Sequence, residues 1–195
     1  MNPVNHIALL VQSVDASAVV LAKFGCQIGP KEEWEGEGTA EIYVGDKEQI
    51  AKILLMEPIK PGAYARAMER RGPGLHHVAV DVLNLEDFVT GLGGSGWYLH
   101  PKSLQTIRKT KTAWMARPGT RMLIEVQQRD ELAAEQSLVS RLELPLTAKE
   151  QTMVVALGVE TLRPSEDDRT WLFIGQQRIE LAEILGTPGR VDDDG

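Results

Sequence analysis

The chain contains two segments that repeat each other, and this repeat restricts the fold more than any other feature of the sequence. One copy begins with an apolar run headed by His6, and the other begins with an apolar run headed by His77. His6 and Leu54 are 48 residues apart, and His77 and Glu125 are also 48 residues apart. The equal spacing predicts two tandem βαβββ modules, at residues 1–60 and 73–128, within one unit that covers 1–128.

Local signals in each module agree on the order strand, helix, then further strands. Residues 14–24 predict a helix that ends at Gly25, and residues 85–92 predict a helix capped by Asn84. Short apolar runs predict the later strands, at 41–44 and 53–56 in the first module and at 112–115 and 122–126 in the second. The predicted fold class is therefore α+β.

The C-terminal part of the chain predicts a third, shorter βαβββ-like unit at residues 137–185. Its pattern is a strand at 138–146, a helix over 147–157 with Thr147 and Glu150 at its start, and strands at 171–174 and 178–182. In this pattern Glu180 takes the position that Leu54 has in the first module. A lone unit of this kind cannot bury both faces of its sheet, so we expect it to pair with its copy in a homodimer. The alternative is a lid over the main cleft, and residues 186–195 are expected to be a disordered acidic tail.

Composition excludes several classes of protein. The 195 residues include 21 Lys and Arg against 28 Asp and Glu, a net charge of −7 that argues against nucleic acid as a partner. Cys26 is the single cysteine, which excludes a disulfide framework and a cysteine-based zinc site. The sequence has neither a secretory leader pattern nor an apolar run long enough to cross a membrane, so we expect a cytoplasmic protein without membrane contact.

Three residues at equivalent positions of the repeat form a possible metal site. If the two modules pair around a pseudo-two-fold axis, His6, His77 and Glu125 converge, and two imidazoles with one carboxylate are a common ligand set for divalent metals. The alternative is that each histidine is a hydrogen-bonded structural residue. Glu125 lies inside an apolar run, where a carboxylate needs a partner. Strand alternation predicts that His76 points away from His77.

The residues that head the strands resemble those of a known superfamily. The matching segments are 6–9, 38–42, 53–58, 71–80 and 122–126, of which Gly-Leu-His-His-Val-Ala at 74–79 is the most specific. The sequence resembles the vicinal-oxygen-chelate superfamily of glyoxalases, bleomycin-resistance proteins and extradiol dioxygenases, and within it the methylmalonyl-CoA epimerase family.

The resemblance implies a glyoxalase-like open β-barrel that holds a divalent metal ion (Co, Mn, Ni, Zn or Fe) on four protein ligands. By position, three ligands fall on His6, His77 and Glu125, and the fourth falls on Leu54, which cannot bind a metal. The resemblance also implies that Glu41 and Glu125 are the catalytic acid and base on the two faces of the substrate.

Three functions follow from this resemblance. The first is an isomerase or epimerase that moves a proton alpha to the carbonyl of an acyl-CoA or a 2-oxo acid. The second is an iron(II) dioxygenase with a facial triad of two histidines and one carboxylate, which the loss of the fourth ligand favours. The third is a non-catalytic small-molecule-binding protein.

A basic segment predicts that the ligand is an anion. No acidic residue occurs between Phe88 and Ile124, where six Lys and Arg side chains lie. From this segment we expect substrate contacts from Lys109, Lys111, Arg117 and Arg121, with a small anionic molecule such as an acyl-CoA. The alternative is a solvated basic loop.

Overall fold

The computed structural model describes residues 1–117, 120, 122–132 and 136–186. The first module begins near the N-terminus and has the predicted order of one strand, one helix and three strands. Its elements are β1 (Val4–Leu10), α1 (Val14–Lys23), β2 (Ile28–Trp34), β3 (Thr39–Val44) and β4 (Lys52–Pro58). A linker helix, α2 (Ala63–Arg71), leads to the second module.

The second module repeats this order with one additional helix. Its elements are β5 (Gly74–Val82), α3 (Leu85–Gly91), β6 (Tyr98–Leu99), α4 (Ser103–Thr110), β7 (Thr112–Ala116) and β8 (Leu123–Gln128). Helix α4 was not predicted from the sequence; it lies within the basic segment and carries Arg108 and Lys109 in its last turn.

The two modules form one mixed sheet of eight strands, in the order β2-β3-β4-β1-β5-β8-β7-β6. The strands that begin each module, β1 and β5, pair antiparallel at the centre of this sheet. Each also pairs in parallel with the last strand of its own module, β4 or β8. The predicted α+β class and the tandem modules are confirmed, and the histidine-headed strands meet as the pseudo-two-fold arrangement requires.

Helices α1 and α3 cover one face of this sheet and leave the histidine-bearing face to line a site. Ser13 caps α1 and Asn84 caps α3 through their side-chain oxygens. On α1, Val14, Ala18 and Leu21 are buried in the main core together with alternate residues of the strands. Because side chains alternate along a strand, burying this set directs His6 and His77 to the opposite face.

The C-terminal segment forms a second sheet with its own strand order. It contains β9 (Val139–Leu144), α5 (Ala148–Ala156), β10 (Leu162–Pro164), β11 (Trp171–Ile174), β12 (Gln177–Glu180) and α6 (Leu181–Leu185). The predicted element order is present, but the strands pair in the order β10-β9-β11-β12. In this sheet the first strand, β9, lies between β10 and β11. In the first module the first strand, β1, pairs with the last strand, β4.

The different pairing corrects one expectation about Glu180. It ends the edge strand β12, which pairs only with β11 among the described strands, while Leu54 lies on β4 directly beside β1. The two positions are therefore not equivalent. The strand expected at 178–182 is also shorter, because helix α6 begins at Leu181.

One face of the second sheet packs against the first two modules of the same chain. Its buried residues, including Leu142 and Leu172, belong to the same hydrophobic core as Ile7 and Leu9. The segment is further attached by a hydrogen bond from the Ser17 hydroxyl to the carbonyl of Ile184 (2.8 Å) and by one from the indole of Trp97 to the carbonyl of Met153 (3.0 Å). The sheet therefore has a partner for this face within the chain, and the homodimer stays a prediction. Residues 187–195, most of the predicted tail, lie outside the described residues.

Candidate metal centre

Three strands bring the two histidines and the glutamate together. Where β1 pairs with β5, His6 lies opposite Ala79 and His77 lies opposite Ala8, so the two imidazoles occupy equivalent places in the two modules. Glu125 on β8 pairs with Ala79 on β5. All three side chains leave the same face of the sheet, and both histidines are buried.

The spacing of the three ligand atoms fits a first-row divalent ion. The Nε2 atoms of His6 and His77 are 3.1 Å apart, and Oε2 of Glu125 lies 3.8 Å from the first and 3.5 Å from the second. A point equidistant from these three atoms would lie about 2.0 Å from each, and bonds from such ions to imidazole nitrogen and carboxylate oxygen have about this length. The three ligand atoms therefore lie close enough together to bind one metal ion.

A chain of hydrogen bonds behind His6 directs its Nε2 atom to the centre. A β-bulge at Asn5 leaves this residue without a partner in the β1–β5 ladder. The amide oxygen of Asn5 lies 2.9 Å from Nδ1 of His6. The Asn5 amide nitrogen donates to Asp81 (2.9 Å), and Arg129 donates to the other Asp81 oxygen (2.9 Å). Because the Asn5 oxygen can only accept, Nδ1 of His6 carries the proton and Nε2 presents a lone pair.

A second bulge places His76 beside His77. The pairing of β5 with β1 shifts between Ala8 and Leu9, so that His76 is skipped and strand alternation fails there. The Nδ1 atoms of His76 and His77 are 2.9 Å apart. The expectation that His76 points away from His77 is therefore wrong, because it assumed a regular strand.

Burial controls the protonation of the three ligands. It lowers the pKa of His6 to about 4, with smaller contributions from Lys52 and Arg129. Burial also lowers the pKa of His77 well below its usual value, and it raises the pKa of Glu125 to about 7. Both imidazoles are therefore neutral near pH 7, which is the form that binds a metal.

The position at which the resemblance places the fourth metal ligand, Leu54, has apolar surroundings in the structure. Leu54 is buried in a small cluster on the histidine-bearing face, together with Ala8, Leu10, Met56 and two residues of α2, Tyr64 and Ala67. Helix α2 lies over this part of the sheet and excludes water from it. The centre therefore has three ligands from the described protein residues and an apolar side.

Glu41 lies on the same face of the sheet, two strands from β1. It pairs with Met56 across the β3–β4 ladder, it is buried, and its Oε1 accepts a hydrogen bond from the Thr39 hydroxyl (2.7 Å). Burial raises its pKa; the Thr39 hydrogen bond opposes this rise, and the charge of Glu37 adds to it. Burial raises the pKa of Tyr43 to about 12, and the charges of Glu41 and Glu125 add smaller contributions.

Two lysines flank the centre, one on each side. Lys52 lies over the ring of Tyr43 (5.7 Å), and the Tyr43 ring packs edge-on against His6. Lys102 lies over the ring of Trp114 (4.9 Å), which packs edge-on against His77. Lys52, Tyr43 and Trp114 were not predicted as site residues. Their strand positions could have indicated them, because Lys52 is two residues from Leu54, Tyr43 is two residues from Glu41, and Trp114 pairs with Glu125.

The four residues predicted to bind the substrate do not gather at this centre. Lys109 and Lys111 are exposed at the end of α4, and Arg117 contacts the Met153 sulfur of the C-terminal segment. Arg121 lies outside the described residues. Their role in binding an anion stays a prediction.

Comparisons with known proteins give a fold. No protein-family model and no curated protein matches the chain. A hypothetical protein from Bacillus halodurans C-125 has a similar structure, with a TM-score of 0.54 and 23% identity over 68% of this chain and 97% of that one. Methylmalonyl-CoA epimerase from Mycobacterium tuberculosis matches with a TM-score of 0.50 and 20% identity over 65% of this chain and 88% of its own.

A third similar structure is a variant of Streptomyces coelicolor methylmalonyl-CoA epimerase in complex with 2-nitronate-propionyl-CoA. Its TM-score is 0.50 and its identity 14%, over 66% of this chain and 99% of that one. The chain therefore shares its fold with methylmalonyl-CoA epimerases, and the resemblance of its sequence is confirmed at the level of the fold. No helix among the described residues is long and apolar enough to span a membrane.

Proposed function

We propose that the chain is a metal-dependent enzyme that moves a proton alpha to a carbonyl group, in the manner of an epimerase or isomerase. The observation that carries this proposal is the meeting of His6, His77 and Glu125 at metal-binding distance, on the same face of the sheet as Glu41. A divalent ion bound there would act as a Lewis acid that stabilises negative charge on the carbonyl oxygen of the substrate.

Glu41 is the residue that we assign to proton abstraction. Its Oε1 is held by Thr39, so the carboxylate has a fixed orientation. Its raised pKa makes it a stronger base than an exposed glutamate. Glu125, in its protonated form, would donate its own proton to the opposite face of the same carbon, and Glu41 would then release the abstracted proton to solvent while Glu125 regains one. The negatively charged enolate exists only after the first proton transfer and before the second.

The charges around the centre favour an anionic substrate. Lys52 and Lys102 lie on its two sides, and each adds a smaller contribution than burial to the lowered pKa of a neighbouring histidine. An acyl-CoA or a 2-oxo acid brings the carbonyl group and negative charge that this setting requires. The Streptomyces epimerase that shares the fold binds a propionyl-CoA analogue.

Exchange of solvent deuterium into the alpha position of a thioester tests this function. We expect the metal-loaded protein to catalyse exchange into methylmalonyl-CoA or a related acyl-CoA, and Glu41→Gln to reduce the rate at least about 100-fold, the usual contribution of a general base. Glu33→Gln, which changes an exposed glutamate on the neighbouring strand β2, is the control and keeps the rate. Exchange by Glu41→Gln at the wild-type rate would remove Glu41 from the mechanism.

The three-ligand set supports a second candidate, an iron(II) dioxygenase. Because Leu54 supplies no donor, the protein leaves more coordination positions open than a four-ligand site does, as in a facial triad of two histidines and one carboxylate. Oxygen consumption by the iron(II)-loaded protein with a catechol distinguishes the two reactions. Turnover of the catechol without thioester exchange would replace the first proposal by the second.

A further inference from the structure

A cavity of about 610 Å³ lies between the C-terminal segment and the start of the second module. One wall comes from Leu10, from residues 71–76 and from Met122; the other comes from residues 144–146, 168–170 and 180–182 of the C-terminal segment. Its volume is within the range of small-molecule sites. Among its described lining residues there is no member of the metal centre, and Glu41 does not line it either.

An apolar cluster under helix α2 borders this cavity. Tyr64 and Ala67 of α2 pack on Ala8, Leu10 and Leu54, and Leu10 also lines the cavity. His76 is the nearest connection, since it lines the cavity and its Nδ1 lies 2.9 Å from Nδ1 of the ligand His77. The cavity and the metal centre therefore have different described residues, with His76 beside both.

We propose that this cavity binds a small molecule with an apolar body and a single anionic group. Its apolar walls come from both parts of the chain and include Leu10, Leu75, Met122, Leu144, Leu181 and Leu185. Two guanidinium groups border it, Arg71 from the end of α2 and Arg169 from the C-terminal segment. Both have partners within the protein, but a guanidinium has five donors and can hold such a partner and the oxygens of a ligand together.

The acidic residues of the cavity have partners in the protein, which disfavours a cationic ligand. Oε2 of Glu150 accepts hydrogen bonds from the backbone nitrogen (2.9 Å) and hydroxyl (2.7 Å) of Thr147, in the capping box of α5. Glu180 lies 3.8 Å from Arg169, and Asp168 also has an interaction within the protein. Arg169 can bind an anion with its remaining donors while it keeps its contact with Glu180, and Glu150 is already held by Thr147.

This site gives the C-terminal segment a function in addition to covering the core. The first two modules supply only one wall of the cavity, and the segment supplies the other wall together with Arg169. The proposal does not depend on the reaction at the metal centre, because the two spaces have different linings.

Binding of 8-anilinonaphthalene-1-sulfonate to the full chain tests this site, since the probe has an apolar body and one sulfonate. We expect saturable binding of one probe per chain by fluorescence titration, and at least tenfold weaker binding of the uncharged analogue N-phenyl-1-naphthylamine. Ala182→Phe, which fills the cavity, and Arg169→Gln should each weaken probe binding about tenfold or more, while near-ultraviolet circular dichroism shows that each variant keeps its fold.

Two control variants locate the probe. Arg141→Gln changes an arginine of the same sheet whose guanidinium stacks on Phe173 and does not line the cavity, and Glu41→Gln changes the other site; both should bind the probe as the wild type does. Wild-type affinity in Ala182→Phe would place the probe elsewhere and overturn the proposal. Equal affinity for the charged and the uncharged probe, or wild-type affinity in Arg169→Gln, would overturn the assignment of an anionic ligand.

Discussion

At the scale of single residues, the metal centre depends on the groups that orient its ligands as much as on the ligands. His6 is held by Asn5, Asn5 by Asp81, and Asp81 by Arg129, each through a hydrogen bond of 2.9 Å. Partners of this kind fix the tautomer and the ring orientation of a ligating histidine. The three ligand atoms could not keep their spacing if the imidazole of His6 were free to turn.

Asp81→Asn tests this chain of hydrogen bonds. The substitution removes the charge that pairs with Arg129 and allows the amide to present the wrong group to Asn5, so we expect metal affinity to fall about 10- to 100-fold. Titration of the metal-free protein with Zn²⁺ against a chromophoric chelator measures the change. Asp130→Asn, an exposed neighbour of Arg129, should bind as the wild type does. Unchanged affinity in Asp81→Asn would show that His6 does not need this support.

Leu54→Gln tests the position of the missing ligand. The amide oxygen of glutamine at this site would add a fourth donor, so we expect metal affinity to rise about tenfold or more. Met56→Gln introduces the same side chain into the same apolar cluster without reaching the ligand position, and it should leave the affinity unchanged. A Leu54→Gln protein that folds and binds no more tightly than the wild type would show that position 54 does not face the ion.

At the scale of secondary-structure elements, the repeat and the local capping signals were sufficient to predict most of the fold. Helix α5 has the capping box that Thr147 and Glu150 indicate, α3 begins after its predicted cap Asn84, and α1 begins at Val14 as predicted. These features are local in sequence, so their physical causes can be recognised without the tertiary structure. The convergence of the two histidines was also predictable, because it follows from the symmetry of the repeat.

The features that could not be predicted depend on contacts between distant parts of the chain. The bulges at Asn5 and His76 are properties of the pairing of β1 with β5, and no local pattern in the sequence marks them. The order of strands in the C-terminal sheet is likewise decided by which strands pair, as its element order matches that of the other modules. Lys52 and Lys102 lie beside the centre because their side chains stack on Tyr43 and Trp114, whose rings contact the two histidines.

The capping box of α5 provides a prediction at this scale. Thr147→Ala removes the side-chain acceptor for the backbone nitrogen of Glu150 and should lower the free energy of unfolding by about 1 kcal/mol. Thr152→Ala, at an exposed position within the same helix, is the matched control and should be neutral or slightly stabilising, since alanine favours helix. Urea denaturation measures both, and equal stability of the two variants would contradict the role of the cap.

At the scale of the whole molecule, the buried histidines make stability depend on pH. Burial holds the pKa of His6 and of His76 at about 4 and lowers that of His77, against an ordinary value of 6.5. The unfolded chain therefore binds protons that the folded chain does not, and the resulting stability is complete above pH 6.5 and is lost as the pH falls toward 4. Glu125, whose pKa is raised to about 7, and Glu41, whose pKa is also raised, act in the opposite direction, but they are two groups against three.

We therefore expect the metal-free protein to have a lower free energy of unfolding at pH 5 than at pH 7. His76→Gln removes one of the three histidines without removing a metal ligand, so it should reduce this difference. Denaturant titrations of both proteins at the two pH values measure it. Equal stability of the wild type at pH 5 and pH 7 would contradict the neutral state of the buried imidazoles.

The most direct test of the central claim is the metal content of the protein purified without added metal. We predict about one first-row divalent ion per chain in the wild type and its loss in His77→Ala and Glu125→Ala, measured by inductively coupled plasma mass spectrometry. Glu131→Ala, which changes an exposed glutamate just after β8, should retain the ion. A wild-type protein without stoichiometric metal, which also fails to take up Co²⁺, Mn²⁺, Ni²⁺, Zn²⁺ or Fe²⁺ on titration, would contradict a metal centre at His6, His77 and Glu125.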